Sequence, residues 1–277
     1  MAVDGPGSGL PLVVHHGTPG AAVPFPPMVD AAARHGLRTV HCSRPGYGAS
    51  TACPGRTVAD AAADTAAVLD ALGADRFVTL GYSGGGPHAL ACATLLPERC
   101  LATASVAGVA PFRAAGLDWA AGMGAENIEE FAAASAGAEV LRGYLLAQLP
   151  ALAAIQGPGL VEALGDLLSP VDRGQLASGF ADFLAESFRH AVSGGIDGWR
   201  DDDLAFIRDW GFPLSGARQV AIWQGGQDRM VPFAHGEWLA ARVPDAAARL
   251  RPEAGHLSLL VGAIDEIIDD LASRARR

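Results

Sequence analysis

A serine set between glycines, in the stretch GYSGGGPHAL at residues 81–90, fits two different chemistries. The pattern G-x-S-x-G places Ser83 on a sharp strand-to-helix turn, where its hydroxyl can act as a nucleophile. The pattern G-x-G-x-x-A over residues 84–89 also fits a loop that binds a dinucleotide. Such a loop needs an acid at the end of the next strand to hold the ribose, and residues 104–111 contain none. We therefore favour the nucleophile and expect no cofactor.

A serine hydroxyl needs a general base, and the base needs an acid that orients it. Asp228 follows the strand-like stretch AIWQGG, and His256 follows the last strand-like stretch of the chain. Taken alone, Asp228 also fits a turn residue and His256 a helix cap. The order serine, acid, histidine is the one expected for this kind of serine turn. Together they predict Ser83 as nucleophile, His256 as base and Asp228 as the residue that orients the base.

The loop HHGTPG at residues 15–20 is a candidate for stabilising negative charge on a carbonyl oxygen. Attack on a carbonyl produces an oxyanion, which needs N–H donors already in place. We expect the backbone N–H groups of Gly84 and Thr18 to form this oxyanion hole. His15 and His16 are interpreted as structural.

Strands and helices must hold these residues in place. Along the sequence, short apolar runs alternate with helical patterns, which indicates a parallel sheet with helices on both faces. From residue 111 to 213 the pattern contains helices and no convincing strand, and it predicts a helix beginning at the SPVD stretch after Ser169. We predict an α/β fold with a doubly wound, mostly parallel sheet of about six core strands. Residues 1–110 and 214–277 form the core, and residues 111–213 a helical cap inserted after the fourth predicted strand. The predicted strands are 10–16, 37–43, 75–83, 100–110, 217–226 and 246–253.

Large apolar residues near the predicted cap are candidates for a substrate pocket, although each also fits core packing. The candidates are Tyr82, Trp119, Met123 and Trp210. An apolar stripe at helical spacing, from Leu176 to Phe188, is interpreted as core packing. The acidic run at residues 201–203 is interpreted as the solvated start of a helix.

Composition excludes several kinds of chemistry and of partner. All 20 basic residues are arginine, which excludes chemistry that requires a lysine amine. The four cysteines lack metal-site spacing, so we expect no metal and no disulfide framework. A net charge of −10 argues against nucleic-acid binding. With no signal peptide or membrane span in the pattern, we expect a cytoplasmic monomer or homodimer that acts on a small molecule and binds no membrane.

Five motifs, spread from residue 15 to residue 260, resemble the α/β-hydrolase superfamily: HHGTPG, SRPGYGAS, GYSGGG, GGQDRMVP and AGHLSLL. The resemblance implies a Ser83–His256–Asp228 triad and a helical cap over the site. The chain departs from the family at Ser43, where relatives often carry Asp, and at Gln224, where His is frequent. About ten residues precede the first predicted strand, so the family's usual two leading strands are expected to be missing or vestigial.

The predicted function is hydrolysis of an ester-like bond of a small, apolar substrate through an acyl-enzyme, as in carboxylesterases. The first alternative is an aminopeptidase similar to proline iminopeptidases, since HHGTPG resembles their first loop. That alternative requires Glu126, Glu129 or Glu130 in the pocket to bind an amine. Thioesterases, carbon–carbon bond hydrolases, perhydrolases and a non-catalytic small-ligand receptor on the same fold also remain open.

Overall fold

A computed structural model of the protein describes residues 1–176 and 179–277 and the backbone of Ala177. Seven strands form one sheet in the order β1-β3-β2-β4-β5-β6-β7, with β1 antiparallel to β3 and all other neighbours parallel. The strands are β1 Ala2–Asp4, β2 Leu10–His15, β3 Leu37–His41, β4 Phe77–Tyr82, β5 Cys100–Val106, β6 Val220–Gly225 and β7 Ala247–Arg251. The predicted α/β class and all six predicted strands are confirmed. The additional strand, β1, has three residues and is too short to give an alternating pattern.

Helices follow the strands and cover both faces of the sheet. They are α1 Pro26–Arg34, α2 Asp60–Ala71, α3 Gly86–Leu95, α4 Ala125–Ala136, α5 Ala138–Ala154, α6 Leu160–Ala163, α7 Pro170–Arg173, α8 Phe180–Ala191, α9 Asp197–Phe206, α10 Phe233–Arg242 and α11 His256–Ala275. Within the described part of the chain, no helix is both long and apolar enough to span a bilayer.

Alternation along β2 shows how the two faces of the sheet are covered. Leu12 is fully buried in a cluster with α1 and α11, whereas Val13 packs in a separate cluster with Leu69 of α2 and Cys92 of α3. Successive side chains of a strand point to opposite faces, so a strand buried on both sides is apolar throughout. The sheet is therefore doubly wound, and its parallel strands end at one edge.

Helices α4 to α9 lie between β5 and β6, and we call residues 125–206 the α4–α9 segment. Helix α7 begins after Ser169 with Pro170 in its first position, as SPVD predicted. The interpretation of the acidic run 201–203 was wrong. Helix α9 already begins at Asp197, so the three acids lie inside it, and they are 3%, 0% and 0% exposed.

Candidate active site

Ser83 lies at the turn between β4 and α3, in a backbone conformation that few residues other than glycine adopt. Its φ is +54°, and a single 3₁₀ turn leads from it into α3. A Cβ atom on Gly81 would lie 2.2 Å from the carbonyl oxygen of Gly85, and one on Gly85 would lie 2.1 Å from that of His15. Only glycines allow the chain to pass this close to itself. The turn therefore holds Ser83 in the strained position expected of a nucleophile.

Asp228 and His256 meet at the carboxyl ends of β6 and β7. Asp228 Oδ2 lies 2.7 Å from His256 Nδ1 and accepts a second hydrogen bond, at 3.0 Å, from the amide of Gln224. Its other oxygen accepts the backbone N–H groups of Met230 and Val231, each at 2.8 Å. The carboxylate is thus fixed on all sides. Because Nδ1 of His256 faces Asp228, Nε2 is the ring nitrogen left for proton transfer.

The surroundings of His256 favour its protonated form on balance. Burial lowers the pKa of the imidazole, but the charge and hydrogen bond of Asp228, with a further contribution from Asp172, raise it above its ordinary value of 6.5. The ring of Tyr82 packs against the imidazole with 5.0 Å between ring centroids. The Tyr82 hydroxyl donates to the carbonyl oxygen of His256 at 3.3 Å. His256 therefore has the character of a base.

Thr18 and Gly84, the two residues predicted to form an oxyanion hole, lie against each other beside the serine. A Cβ atom on Gly84 would lie 2.4 Å from Thr18 Oγ1, and one on Gly17 would lie 3.5 Å from Ser83 Cβ. The hydroxyl of Thr18 is directed away, donating to Asp202 Oδ2 at 2.7 Å. The loop after β2 and the start of α3 thus place Thr18 beside Gly84 and Gly17 beside Ser83.

A cavity of about 260 Å³ opens above these residues, and Ser83, His256 and Tyr82 all line it. Helices α1 and α8 contribute mainly apolar side chains, including Met28, Phe183 and Phe188. Helices α4 and α5 contribute a polar wall of Glu126, Asn127, Glu129, Glu130, Tyr144 and Gln148. The cavity is therefore apolar on one side and acidic on the other.

Three of the four residues predicted for the pocket lie elsewhere, and only Tyr82 is among the described residues that line the cavity. Trp119, Met123 and Trp210 pack in a separate buried cluster against α3 and β6. The indole of Trp119 donates to the carbonyl oxygen of Ala110 at 2.7 Å, which fixes it away from the serine. Large apolar type indicates burial, and it does not say in which cluster a residue is buried.

Residues 11–263 match the family model described as alpha/beta hydrolase fold. The chain belongs to the α/β-hydrolase fold family. A non-heme chloroperoxidase of Streptomyces lividans is 34% identical over 134 residues, a stretch that spans 48% of this chain and 49% of that protein. Thus about half the length of that relative is matched.

Solved structures resemble the whole chain in fold. A bromoperoxidase from Bacillus anthracis has a TM-score of 0.73 at 20% identity, covering 100% of this chain and 94% of that chain. The enol-lactonase from Burkholderia xenovorans LB400 has a TM-score of 0.69 at 17% identity, covering 100% and 95%. At these identities the likeness extends to the fold alone.

Ser43 and Gln224, the two positions at which the sequence was expected to depart from its family, both make supporting contacts. The hydroxyl of Ser43 accepts the backbone N–H of Ala22 at 3.0 Å, which holds the first loop. Gln224 donates to Asp228 and also to the carbonyl oxygen of Val231 at 2.7 Å. Gln224 therefore helps to hold the candidate acid in position.

Asp202, which sequence analysis assigned to solvent, is the centre of a buried ion cluster behind Thr18. Arg44 donates to Asp202 Oδ2 at 2.6 Å, and Arg56 lies 2.7 Å from Asp202 Oδ1. The hydroxyl of Tyr47 donates to Oδ2 at 2.8 Å. Burial raises the pKa of Asp202, but the two arginines outweigh it and hold the pKa well below its usual range. The sequence held one signal: three consecutive acids on a helix point in three different directions, so a helix that packs on one side can turn one of them inward.

Glu130 of the polar wall and Asp203, which is fully buried on α9, form a second acidic group. The indole of Trp199 donates to Glu130 Oε1 at 2.7 Å. Burial raises the pKa of Glu130, and burial together with the charge of Glu130 raises that of Asp203 well above its usual range.

The described residues contain no group of three histidine, cysteine, aspartate or glutamate side chains that could hold a metal ion.

Proposed function

We propose that the protein is a serine hydrolase that cleaves an ester-like bond of a small, largely apolar substrate through an acyl-enzyme. The observation that carries the proposal is that Ser83, on its strained turn, and His256, held by Asp228, line the same cavity. Family membership supports hydrolysis in general. That the cleaved bond is ester-like is the part that we propose.

In the first half of the reaction, Ser83 Oγ attacks the carbonyl carbon and its proton passes to His256 Nε2. The carbonyl oxygen becomes an oxyanion, which accepts hydrogen bonds from the backbone N–H groups of Thr18 and Gly84. The bond to the leaving oxygen then breaks, and that oxygen takes the proton from His256. Asp228 stays ionised and stabilises the imidazolium formed in between.

In the second half, water attacks the carbonyl carbon of the acyl-enzyme and gives one proton to His256. The bond between the acyl group and Ser83 Oγ breaks, and Ser83 Oγ recovers the proton. The products are one carboxylic acid and one alcohol for each ester and water consumed. No cofactor takes part in this sequence.

Residues 111–213 act as a helical cap in this proposal. Phe183 and Phe188 of α8 give the cavity an apolar wall, which suits the acyl chain or another apolar part of the substrate. A cavity of about 260 Å³ suits a short acyl group better than a long one.

A series of p-nitrophenyl esters of increasing acyl length tests this function. We expect turnover of short neutral esters, with kcat/KM falling once the chain outgrows the cavity. Ser83→Ala should reduce kcat by a factor on the order of 10⁴ to 10⁶, as for other serine nucleophiles. Ester turnover that survives Ser83→Ala would contradict the proposal.

A second candidate function is favoured by the acidic wall of the cavity. Glu126, Glu129 and Glu130 all line it, as an enzyme that binds a substrate amine requires. An aminopeptidase would release p-nitroaniline from L-proline p-nitroanilide and would lose kcat/KM in Glu130→Gln. Turnover of neutral esters without cleavage of the anilide would support the ester hydrolase instead.

The name of the Streptomyces lividans relative suggests that the acyl acceptor should also be varied. If hydrogen peroxide replaces water in the second half, its oxygen attacks the acyl-enzyme and the product is a peracid. Assays with added peroxide therefore separate acid from peracid release. If no ester, anilide or peracid reaction occurs, ligand binding that is unchanged in Ser83→Ala would support a small-ligand receptor.

A further inference from the structure

Asp172 belongs to α7 in the α4–α9 segment, yet its carboxylate caps the helix that begins with His256. Oδ2 accepts the backbone N–H of His256 at 2.9 Å, and Oδ1 accepts those of Leu257 at 2.9 Å and Ser258 at 2.8 Å. These first-turn amides have no acceptor within α11 itself. The group that satisfies them stands 84 residues before His256 in the chain.

The carboxylate is held in this position from several sides. It is fully buried, and the hydroxyls of Ser169 and Ser258 donate to it at 2.8 Å and 3.0 Å. The carboxylate packs directly against Gly255. A Cβ atom at that position would lie 2.4 Å from Asp172 Oδ2 and 2.5 Å from Oδ1, so a larger residue would collide with it. The two carboxylate oxygens accept five hydrogen bonds in a closely packed space. The carboxylate is therefore held in one position.

The location of the charge matters because His256 is the first residue of a helix of 20 residues. The amino end of a helix is positive, which disfavours a second positive charge on the imidazole. Burial acts in the same direction. A carboxylate that accepts the first-turn N–H groups removes the positive end of the helix at the point where His256 must take up a proton.

Three titratable groups face the imidazole from the surrounding elements. Asp228 follows β6, Asp172 lies on α7 and Tyr82 ends β4. Burial, together with the two carboxylates, holds the pKa of Tyr82 well above its usual range, so its phenol stays neutral. Among the described residues of the α4–α9 segment, Asp172 is therefore the one acid that contacts His256 directly.

We propose that Asp172 is a positioning residue of this site: it fixes the backbone of His256 and cancels the positive end of α11 beneath the imidazole. The catalytic meaning of this role rests on the proposed function, in which His256 is the base. In that case the α4–α9 segment both covers the substrate and sets the pH range over which His256 can accept a proton.

The direct test measures the pKa of the His256 imidazole by NMR in protein with ¹³C-labelled histidine, with His256→Gln to assign the resonance. Asp172→Asn removes the charge at nearly constant size, and Asp172→Ser is a smaller neutral replacement for use if the first variant does not fold. We expect either folded variant to titrate at lower pH than the wild type. Glu162→Gln, which neutralises an exposed acid of the same segment, should leave the pKa unchanged. An unchanged pKa of His256 in a folded Asp172 variant overturns the proposal.

Hydrogen exchange of the wild-type protein provides a second test that needs no variant. The amides of residues 256–258 should be protected, although first-turn amides lack partners within their helix. Exchange at the rate of free amides overturns the proposal.

Kinetics then connect the role to catalysis. In Asp172→Asn the acid limb of kcat/KM should move to lower pH, whereas a merely structural defect lowers activity without moving the limb. Neither the titration nor the exchange depends on turnover. If the wild type hydrolyses nothing, the proposed function fails while the titration still decides the role of Asp172.

Discussion

The hydroxyl of Thr18 donates a hydrogen bond to Asp202 Oδ2 at 2.7 Å, and this bond joins the loop after β2 to helix α9. The same carboxylate binds Arg44 and Arg56, whose side chains are 6% and 3% exposed. Helix α9 therefore holds the candidate oxyanion loop through one buried charge. The α4–α9 segment also reaches the loop of Asp228, since the amide of Asn127 donates to the carbonyl oxygen of Met230 at 3.0 Å.

We predict that Asp202→Asn destabilises the protein by about 3–5 kcal/mol, because two buried arginines lose their counter-charge. Urea unfolding measures the loss. Asp197→Asn on the same helix is the matched control, since Asp197 pairs with Arg200 at 3.0 Å but its side chain is 51% exposed. That exposed pair should contribute at most about 1 kcal/mol. Equal losses in the two variants would contradict a special role for Asp202.

Replacing Gly81 in the strand-to-helix turn around Ser83, which we call the nucleophile elbow, should abolish the site. In Gly81→Ala the methyl group would meet the carbonyl oxygen of Gly85 at 2.2 Å, so β4 or α3 must shift and Ser83 with it. We expect loss of ester turnover together with destabilisation of several kcal/mol. Gly262→Ala is the control, since Gly262 lies exposed within α11 with no atom within 4 Å of an added Cβ. Gly262→Ala should raise the free energy of unfolding by about 0.5–1 kcal/mol. A Gly81→Ala protein that is as active as this control would refute the elbow geometry.

The pH dependence of kcat/KM should follow His256. Only the neutral imidazole can accept the proton of Ser83, and the environment raises its pKa above 6.5. Activity should therefore rise with pH through an apparent pKa above 6.5. The measurement is kcat/KM for a neutral ester from pH 5 to pH 9. A flat profile, or an acid limb below the ordinary imidazole pKa, contradicts the assignment.

Buried neutral histidines should make the fold sensitive to acid. Burial lowers the pKa of His15 to about 3, with Arg44 adding to the effect, and burial lowers that of His41 to about 4. The unfolded chain binds these protons near pH 6.5, whereas the native protein excludes them, so acid favours unfolding. Each histidine should cost about 1.4 kcal/mol of unfolding free energy per pH unit below that point.

His256 has the opposite sign, because its raised pKa contributes stability that is present in acid and is lost as pH rises through its folded value. It offsets part of the loss at low pH. Urea unfolding at pH 7, 6 and 5 should therefore give a falling free energy, with a shallower slope in His41→Gln. Equal free energies at the three pH values would contradict burial of neutral histidines.

The parts of the site that sequence could predict are the ones encoded locally. The elbow around Ser83 is a short pattern between a strand and a helix, and Asp228 and His256 each follow a strand. The order serine, acid, histidine along the chain then groups the three residues into one predicted site, with no need to know the distances between them. The strands were found because buried parallel strands are short apolar runs between helical patterns.

The parts that sequence could not predict depend on contacts between distant segments. Asp172 and Asp202 look like surface acids, and only the fold brings them to His256 and Thr18. The apolar stripe of α8 was assigned to the core, whereas Phe183 and Phe188 also line the cavity. Hydrophobic type and spacing say that a side chain is buried; they do not distinguish a core from a pocket wall.

The most direct test of the central claim, that Ser83 is an activated nucleophile, is its reaction with a small fluorophosphonate. Attack by Ser83 Oγ displaces fluoride and leaves a covalent phosphonyl adduct, which intact mass and peptide mapping locate. We predict a single adduct on Ser83 in the wild type and none in His256→Ala. Folded wild-type protein that gains no adduct, or an adduct that forms equally in His256→Ala, would contradict the claim.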